Sequence, residues 1–335
     1  MLRIALPSKG ELEEPTLSFL RSCGLSVGRS SSRSYMGEIG SQKDVSIIFQ
    51  RAADIPFKVQ EGSADLGITG LDVVREGVWD DGPCSVLLED LDYGDCDLVV
   101  AVPDVWIDVT HMVDLAELAA EMRGKGSELR VATKYPKLVQ RFLLENGINY
   151  FTLVASTGAI EISPAMGFAD LVADLTSSGQ TLRDNGLRVL AGGTVLRSQA
   201  CLIGNLDRLG EDESKLKSTK MMLDLMEARL RAKRYYSITA NIRGHSKEDV
   251  AQQLISFSDV AGLQGPTISS VYSRLGEDAN WYAVTVVVPI ASLLSAVEQL
   301  RCLGGNGITV TSPNYVFEGE STAYQKLLSA LGHNS

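Results

Sequence analysis

The sequence has few of the residues on which metal and nucleophile chemistry most often depend. Its three histidines, His111, His245 and His333, lie far apart, which argues against a histidine-rich metal site and against a histidine-based triad. Its five cysteines include no CxxC pair, and an odd number cannot form a complete set of internal disulfides, so we expect a reducing compartment. The chemistry must use other groups.

Long apolar runs and an excess of positive charge are also lacking. No stretch approaches the roughly 18 apolar residues that span a bilayer, and the N-terminal MLRIALPSKG enters a strand pattern instead of a signal peptide. With 42 acidic and 31 basic residues the formal net charge is −11, which disfavours nucleic acid and membranes as partners. We therefore expect a cytoplasmic protein that binds any phosphate through a local group of side chains and not through its overall charge.

What is present is a chain of 335 residues, 44% hydrophobic, long enough for two or three domains. Short apolar runs alternate with segments of helical period, which predicts an α/β protein. The predicted strands include residues 2–6, 45–49, 65–69, 98–102, 129–133 and 169–175. The predicted helices include residues 11–23, 55–61, 113–123 and 136–146.

Two changes in composition predict the domain boundaries. A charged stretch leads into an amphipathic helix over residues 215–233, which indicates a boundary near Arg234, and residues 235–335 then follow the βαββαβ order of a ferredoxin-like module. A further helix is predicted over 323–331. Upstream, we expect one lobe of residues 1–103 with 188–233 and a second lobe of residues 104–187, the chain crossing between them twice.

The strongest chemical pattern is a strand that runs into a hydroxyl-rich turn, ADLVADLTSSGQTL at residues 169–182. Such a turn exposes unpaired backbone amides, its glycine lets the backbone approach an anion, and its hydroxyl groups add donors. Asp170 and Asp174 share a face of the strand about 13 Å apart, and a carboxylate before the turn suits the hydroxyls of a sugar phosphate. The pattern predicts either a phosphate cradle or a capped helix at a surface turn.

The segment PSKGEL after the first strand also has two interpretations. Lys9 and Gly10 lie at a predicted helix entrance that can receive a charged ligand. Ser8 and Glu11 fit a capping box, which explains those two residues by local hydrogen bonds. Capping does not explain Lys9.

Glycines and a carboxylate mark two other candidate segments. Arg51 and the run DLGITGLD, with Thr69, Gly70 and Asp72, bracket a buried strand, where open α/β sheets bind ligands or where glycine permits close packing. Glu161 follows Ser156–Thr157–Gly158 in the first turn of a predicted helix, where it can cap that helix or reach a ribose.

Taken in order, these segments resemble one family. They are PSKG at Pro7, RxxDIP at Arg51, DLGITGLD at Asp65, EISPAMGFAD at Glu161 and DLTSSGQTL at Asp174. The chain closely resembles the ATP phosphoribosyltransferases, the first enzymes of histidine biosynthesis. The segments ANIRG, GLQGPTIS and WYAVTVVVP extend the resemblance over almost the whole length, to the long form that carries its own regulatory domain.

The resemblance implies two periplasmic-binding-protein-like lobes around a cleft, an ACT-like C-terminal domain, and dimers that assemble into a hexamer. In the implied reaction, N1 of the adenine of ATP attacks the anomeric carbon of phosphoribosyl pyrophosphate and releases pyrophosphate, with Mg²⁺ as cofactor. Because a neutral ring nitrogen needs no deprotonation, positioning and charge stabilisation would dominate. L-histidine is the implied feedback inhibitor, AMP is a candidate ligand, and a plant source would imply a plastid.

Site residues follow from the resemblance position by position. The donor phosphate would be held by Thr176, Ser177, Ser178, Gly179, Gln180 and Thr181, and its ribose would face Glu161, Asp170 and Asp174. ATP would meet Lys9, Gly10, Arg51, Thr69, Gly70 and Asp72. L-histidine would bind near Ala240, Asn241, Gly265, Pro266 and Thr267. The family often has a basic residue where this chain has Glu11, so no phosphate contact is expected there.

Other functions fit parts of the same sequence. A two-lobed fold also serves binding proteins, so a cytosolic nucleotide sensor is one alternative. A catalytically weak paralogue is another, and a phosphoribosyltransferase for a different base is a third, because a donor cradle recognises only the donor. The N-terminal motifs and the C-terminal module favour ATP as the acceptor.

Overall fold

Strands and helices alternate along the chain in the computed structural model, which describes residues 1–31, 34–77, 82–155, 158–257, 259–260, 262–263, 265–272 and 280–332. The strands are β1 (Leu2–Pro7), β2 (Val27–Gly28), β3 (Met36–Ile39), β4 (Gln42–Gln50), β5 (Leu66–Gly70), β6 (Cys84–Leu88), β7 (Cys96–Pro103), β8 (Leu129–Thr133), β9 (Phe151–Ala155), β10 (Leu171–Thr176), β11 (Leu187–Ser198), β12 (Ala200–Asn205), β13 (Tyr235–Arg243), β14 (Thr267–Val271), β15 (Trp281–Pro289) and β16 (Asn306–Thr311). The helices are α1 (Glu13–Ser22), α2 (Ile55–Gln60), α3 (Leu71–Gly77), α4 (Met112–Gly124), α5 (Pro136–Glu145), α6 (Gln180–Asp184), α7 (Leu206–Gly210), α8 (Glu213–Ala232), α9 (Lys247–Ile255), α10 (Leu293–Cys302) and α11 (Thr322–Ala330). The predicted α/β alternation is confirmed, with ends shifted by a few residues.

The first lobe is built on a sheet of strand order β2-β3-β4-β1-β5-β12-β6, flanked by α1, α2 and α3. In its centre β1 pairs parallel with β4 and β5, and both β1 and β5 are almost fully buried, as expected for strands covered on two faces. Gly67 lets α2 pack closely on β5, because a Cβ there would lie 2.5 Å from Cγ2 of Ile55. The packing interpretation of that glycine is thus confirmed.

The second lobe is built on a sheet of order β11-β7-β10-β8-β9, with α4, α5 and α6. Strands β10, β8 and β9 run parallel, and β7 lies antiparallel between β10 and β11. Its core is aliphatic and includes Leu98, Val100, Val131, Leu143 and Leu171, all fully buried. The carboxyl ends of β8 and β10 therefore meet at one edge, where the hydroxyl-rich turn begins.

The crossings between the lobes differ from those expected from the sequence. Strands β7 and β11 belong to the second sheet, so the chain crosses between β6 and β7 and again at Ser198 to Ala200, instead of near residues 103 and 188. The reason is pairing, since Val99 of β7 lies opposite Asp174 of β10. Hydrophobic runs identify a strand but not the partner with which it pairs.

The C-terminal sheet has the order β14-β15-β13-β16, all antiparallel, with α9 and α10 on one face. Alternate residues of its two central strands, including Ile238, Ile242, Val284 and Val286, pack with the buried side chains of those helices. The predicted ferredoxin-like order is confirmed. The second strand of this order is predicted over residues 268–274 from its apolar pattern, and its last two residues, Ser273 and Arg274, lie outside the described residues.

The chain divides into two compact units, Met1–Thr219 with Gln325–Ser335, and Lys220–Tyr324. The division falls inside α8, whereas the sequence placed a boundary near Arg234. The second part of α8 is held within its own unit, where the carbonyl of Ala228 accepts a hydrogen bond from the backbone of Val316, at 3.0 Å. Among the described helices, none is both long enough and apolar enough to cross a bilayer.

Candidate functional site

The hydroxyl-rich turn links β10 to the short helix α6. Gly179 adopts a left-handed conformation, with φ 71°, and Oγ1 of Thr176 accepts its backbone N–H at 2.7 Å. Oγ of Ser178 accepts the N–H of Gln180 at 3.3 Å. Thr176 and Ser178, both predicted to hold the phosphate of the phosphoribosyl donor, therefore bond within the turn. Ser177 and Thr181 are exposed and remain available to a ligand.

An arginine that the sequence analysis missed lies against this turn. The guanidinium of Arg183 donates to the carbonyl of Ser178 at 3.0 Å and to Oε1 of Gln180 at 3.1 Å. A Cβ on Gly179 would lie 2.8 Å from Nη1 of Arg183, so glycine leaves room for it. The turn thus carries an exposed cation beside its hydroxyl groups. The sequence signal for this role is an arginine in the first turn of α6, because its side chain can reach back over the start of the helix.

Asp174 is partly buried at the carboxyl end of β10, near Lys134 and Glu161. Burial raises the pKa of its carboxyl group and the negative charge of Glu161 adds to this, while a backbone hydrogen bond at Leu175 and the charge of Lys134 act in the opposite direction. Glu161 lies in a short 3-10 helix, and Ser156 and Thr157 before it lie outside the described residues. The charges of Asp174 and Glu161 therefore interact, and the ribose contact expected of both residues stays a prediction.

Lys134 was also missed by the sequence analysis. It follows β8 directly, and β8 pairs in parallel with β10, so the two strand ends place Lys134 near Asp174. Its position after a buried parallel strand was the available signal, because ligands bind at the carboxyl ends of such strands. The edge of the second sheet therefore combines two carboxylates, a lysine and a hydroxyl-rich turn.

Asp170 lies at the opposite end of β10 and is bound to Arg130. Its Oδ1 accepts Nη2 of Arg130 at 2.7 Å, and its Oδ2 accepts both the backbone N–H and Nε of the same residue, at 2.7 and 3.2 Å. These contacts occupy the carboxylate and tie β10 to β8. The ribose contact expected for Asp170 is therefore replaced by a structural ion pair.

Asp72 is 4% exposed and joins the two lobes. Its Oδ1 accepts the hydroxyl of Ser198 and its Oδ2 accepts the hydroxyl of Tyr135, both at 2.7 Å. Gly70 is required beside it, because a Cβ there would lie 2.3 Å from Oδ1 of Asp72. Burial and the nearby Asp72 charge raise the pKa of Tyr135, and raise that of the Cys96 thiol to about 11. This carboxylate is a buried junction and not an open ligand for ATP.

The other predicted ATP residues fall into two groups. Thr69 is fully buried and its hydroxyl donates to the carbonyl of Ala52 at 2.8 Å, so it holds the turn after β4. Arg51, Lys9 and Gly10 are exposed, and Gly10 has φ 85°.

The capping box expected after the first strand does not form. Helix α1 begins at Glu13, and Leu12 at its N-cap has no side chain that caps it. Ser8 instead donates its backbone N–H to the carbonyl of Gln50, at 2.7 Å. The capping interpretation of Ser8 and Glu11 is wrong, and Lys9 lies in an open loop between β1 and α1.

The predicted L-histidine residues lie on different strands of the C-terminal sheet. Ala240 is fully buried on the helix-covered face, so its side chain is closed to a ligand, whereas Asn241 is partly exposed on the other face. Gly265 and Pro266 precede β14, where Thr267 pairs with Thr285, which in turn pairs with Thr239. Strand β15 therefore separates the two groups by about 10 Å.

Among the residues that the structure describes, no group of three or more His, Cys, Asp or Glu side chains forms a possible metal site. Asp174 and Glu161 form a pair of carboxylates whose charges interact. Two carboxylates suit Mg²⁺ when substrate phosphates supply the remaining oxygens.

Two family models match the chain. The model described as ATP phosphoribosyltransferase matches residues 51–227, and that described as HisG, C-terminal domain, matches residues 232–314. ATP phosphoribosyltransferase 2, chloroplastic, of Arabidopsis thaliana is 37% identical over 335 residues, which cover 99% of this chain and 81% of that protein. The ATP phosphoribosyltransferase of Bradyrhizobium sp. (strain ORS 278) is 35% identical over 328 residues, 97% of each chain.

A solved structure agrees with these matches. The ATP phosphoribosyl transferase (HisG:HisZ) complex from Thermotoga maritima contains a chain that aligns with a TM-score of 0.52 and 25% identity, over 68% of this chain and 96% of that one. This chain therefore belongs to the ATP phosphoribosyltransferase family, in its long form with a C-terminal regulatory-type domain, and is a glycosyltransferase of the first step of histidine biosynthesis.

Proposed function

We propose that this chain transfers the phosphoribosyl group of phosphoribosyl pyrophosphate to N1 of the adenine of ATP, forming N1-(5-phosphoribosyl)-ATP and pyrophosphate. The observation that carries the proposal is the edge of the second sheet in a chain of this family. There Arg183 bonds to the hydroxyl-rich turn, and Asp174, on the strand that leads into that turn, interacts with the charges of Lys134 and Glu161. A 5-phosphate and a ribose need these complementary groups.

The donor would bind with its 5-phosphate against Ser177, Thr181 and Arg183, and with its ribose hydroxyls toward Asp174 and Glu161. Thr176, Ser178, Gly179 and Gln180 shape the turn that presents these groups. A carboxylate accepts hydrogen bonds from ribose hydroxyls, and positive side chains offset the charge of the phosphate. Asp170 is left out of the proposed site because Arg130 occupies it.

ATP would bind on the first lobe through exposed groups near the ends of β1 and β4. Lys9, Gly10 and Arg51 are the candidates for its phosphates, and AMP would compete for the same position. Thr69, Gly70 and Asp72 are assigned to the wall beneath it, since their polar groups already bind protein partners. No general base is needed, so this lobe contributes orientation and charge.

Mg²⁺ would enter with the pyrophosphate of the donor. Asp174 and Glu161 are the side chains that fit as its protein partners, alone or through water. When bound, the ion neutralises the pyrophosphate as it leaves. Chelation of Mg²⁺ is expected to abolish product formation.

The C-terminal unit is assigned to feedback inhibition by L-histidine. The site near Asn241 and residues 265–267 is assigned to a position between modules of different copies of the chain. This requires a homo-oligomer, and we propose dimers that assemble into a hexamer. The cytoplasm of a bacterium, or the plastid of a plant, is the proposed location.

The experiment follows absorbance near the adenine band when the protein is mixed with ATP, phosphoribosyl pyrophosphate and Mg²⁺, with and without millimolar L-histidine. A rise that needs both substrates and is suppressed by L-histidine is expected. A rise that L-histidine does not change would contradict the regulatory assignment alone. No rise under any condition would contradict the reaction and favour a nucleotide-binding sensor.

The donor site has a more specific test in Thr181→Ala. Loss of one hydrogen bond to a charged phosphate is expected to weaken donor binding by about 1.5 to 3 kcal/mol, seen as a higher KM for phosphoribosyl pyrophosphate. The matched control is Ser329→Ala, which removes an exposed hydroxyl group from α11 and should leave the donor KM unchanged. An unchanged donor KM in Thr181→Ala would remove that residue from the site.

A further inference from the structure

Helix α3 of the first lobe presents two carboxylates to the second lobe. Asp72 and Glu76 are four residues apart, so they lie on one face of the helix. Asp72 accepts the hydroxyl of Tyr135, and Glu76 accepts two backbone N–H groups at the start of α5. We call these contacts the interlobe clamp: Asp72, Glu76, Tyr135 and the first turn of α5.

The Glu76 contact supplies a helix cap that α5 lacks. Tyr135 at its N-cap position makes no side-chain cap, and Pro136 at the first helical position has no N–H. The next two N–H groups, of Lys137 and Leu138, both donate to Glu76, to Oε1 and Oε2 at 3.0 Å each. One carboxylate thus holds the α5 N-terminus with two charge-assisted hydrogen bonds.

The Tyr135 contact fixes the other side of the same turn. Its hydroxyl donates to Oδ2 of Asp72 at 2.7 Å, and its backbone N–H donates to Oγ1 of Thr133 at 3.0 Å. Lys134 lies between Thr133 and Tyr135 in the chain and is near Asp174. The segment from β8 into α5 is therefore bound to the first lobe directly after the lysine that faces the donor edge.

We propose that Glu76 and Tyr135 are positioning residues for phosphoribosyl transfer. The clamp sets the orientation of the lobe that would hold the donor against the lobe that would hold ATP, and neither side chain needs to touch a substrate. The reacting atoms must come within about 3 to 3.5 Å in an aligned geometry, and a 1 Å displacement can cost about 100-fold in rate. The inference rests on the proposed reaction, and it goes further by assigning how the cleft is held.

The test compares Glu76→Gln and Tyr135→Phe with the wild type. Each is expected to lower kcat about 10- to 100-fold, while the KM values and the affinity for each substrate alone change little, because each lobe keeps its own pocket. In Glu76→Gln, hydrogen exchange at the amides of Lys137 and Leu138 is expected to accelerate. The Tyr135→Phe variant keeps the ring and its packing, so it supports the test if Glu76→Gln folds poorly.

The matched control is Asp114→Asn. Asp114 caps the start of α4 through the backbone N–H groups of Thr110 and His111, at 2.8 Å each, all within the second lobe. The Asp114→Asn variant should have a lower Tm and an unchanged kcat. A clamp variant that loses amide protection or Tm but keeps the wild-type kcat would overturn the proposal, because its role would then be structural. If the wild-type protein itself formed no product, the proposed reaction would be overturned as well. Failure of the positioning role and failure of the proposed reaction therefore give different results.

Discussion

Three aspartates that the sequence assigned to substrate binding have different surroundings. Asp170 pairs with Arg130, Asp72 is buried against two hydroxyl groups, and Asp174 is partly exposed near the carboxyl end of β10. Their motif positions predicted a carboxylate near a ligand but not its partners. Those partners lie between 40 and 126 residues away in the chain, so spacing could not reveal which carboxylates were already occupied.

Asp170→Asn tests the structural assignment of that residue. The change removes one side of a partly exposed ion pair and is expected to lower the free energy of unfolding by about 1 to 2 kcal/mol, with the donor KM unchanged. Denaturant unfolding and steady-state kinetics measure both quantities. Glu128→Gln, which removes the exposed ion pair with Arg123, is the control and should change stability little. A large rise in donor KM for Asp170→Asn would return that residue to the ribose.

Asp174→Asn should separate stability from function. Because the pKa of Asp174 is raised above its ordinary value of 3.8, the folded state binds more protons than the unfolded state in the window between the two values. Stability from this group is therefore lost as pH rises through that window. The Asn variant lacks this loss, so it should be more stable than the wild type near neutral pH while donor binding weakens.

The measurement for Asp174→Asn is denaturant unfolding from acidic to neutral pH. The stability advantage of the variant should grow with pH and then level off above the folded-state pKa. The control is Asp184→Asn, which removes an exposed carboxylate from the neighbouring helix. An Asp174→Asn protein that is less stable than the wild type at neutral pH would contradict the raised pKa.

At the scale of elements, the sequence predicted most strands and helices because their apolar periods are clear. It misplaced β7 and β11 between the lobes, since pairing depends on residues far along the chain. It also misjudged the start of α1, where Ser8 bonds to β4 instead of capping a helix. The start of α5 carried a signal that the sequence analysis did not use. Tyr135 cannot cap the helix as Ser, Thr, Asp or Asn would, and Pro136 begins it, so a capping group must come from another part of the chain.

The turn from β5 into α3 depends on Gly70. Its replacement in Gly70→Ala would place a Cβ 2.3 Å from Oδ1 of Asp72, so the carboxylate must move away from Ser198 and Tyr135. We expect a loss of about 2 to 4 kcal/mol in the free energy of unfolding. The control is Gly124→Ala at the end of α4, where no atom lies within 4 Å of the added Cβ. Equal stability of the two variants would contradict this account of the turn.

At the scale of the whole molecule, a buried ion pair fixes the start of α8. Asp65 is fully buried, accepts the backbone N–H of Arg3, and pairs with Nζ of Lys215 at 2.7 Å. The sequence placed Asp65 in a ligand motif, but its partner lies 150 residues later. The pair therefore anchors the start of α8 to the first lobe. The same helix continues into the C-terminal unit.

Lys215→Met should reveal this anchor. Removal of one partner leaves an uncompensated buried carboxylate, which is expected to cost about 3 to 5 kcal/mol in the unfolding transition of the first unit. The exposed pair of Lys125 and Glu121 gives the control, because Lys125→Met should cost little. Calorimetry of both variants makes the comparison. A loss as small in Lys215→Met as in the control would mean that water replaces the lysine.

The strand order also has a consequence for how the chain is synthesised. The second sheet is made from one continuous stretch, residues 96–198, whereas the first sheet needs β12 between β5 and β6. On a ribosome, the first lobe therefore lacks an internal strand until residue 205 has emerged, although most of it is made earlier. Because β6 and β12 pair directly, the second lobe is an insertion within a hairpin, and it can finish folding before the lobe that precedes it.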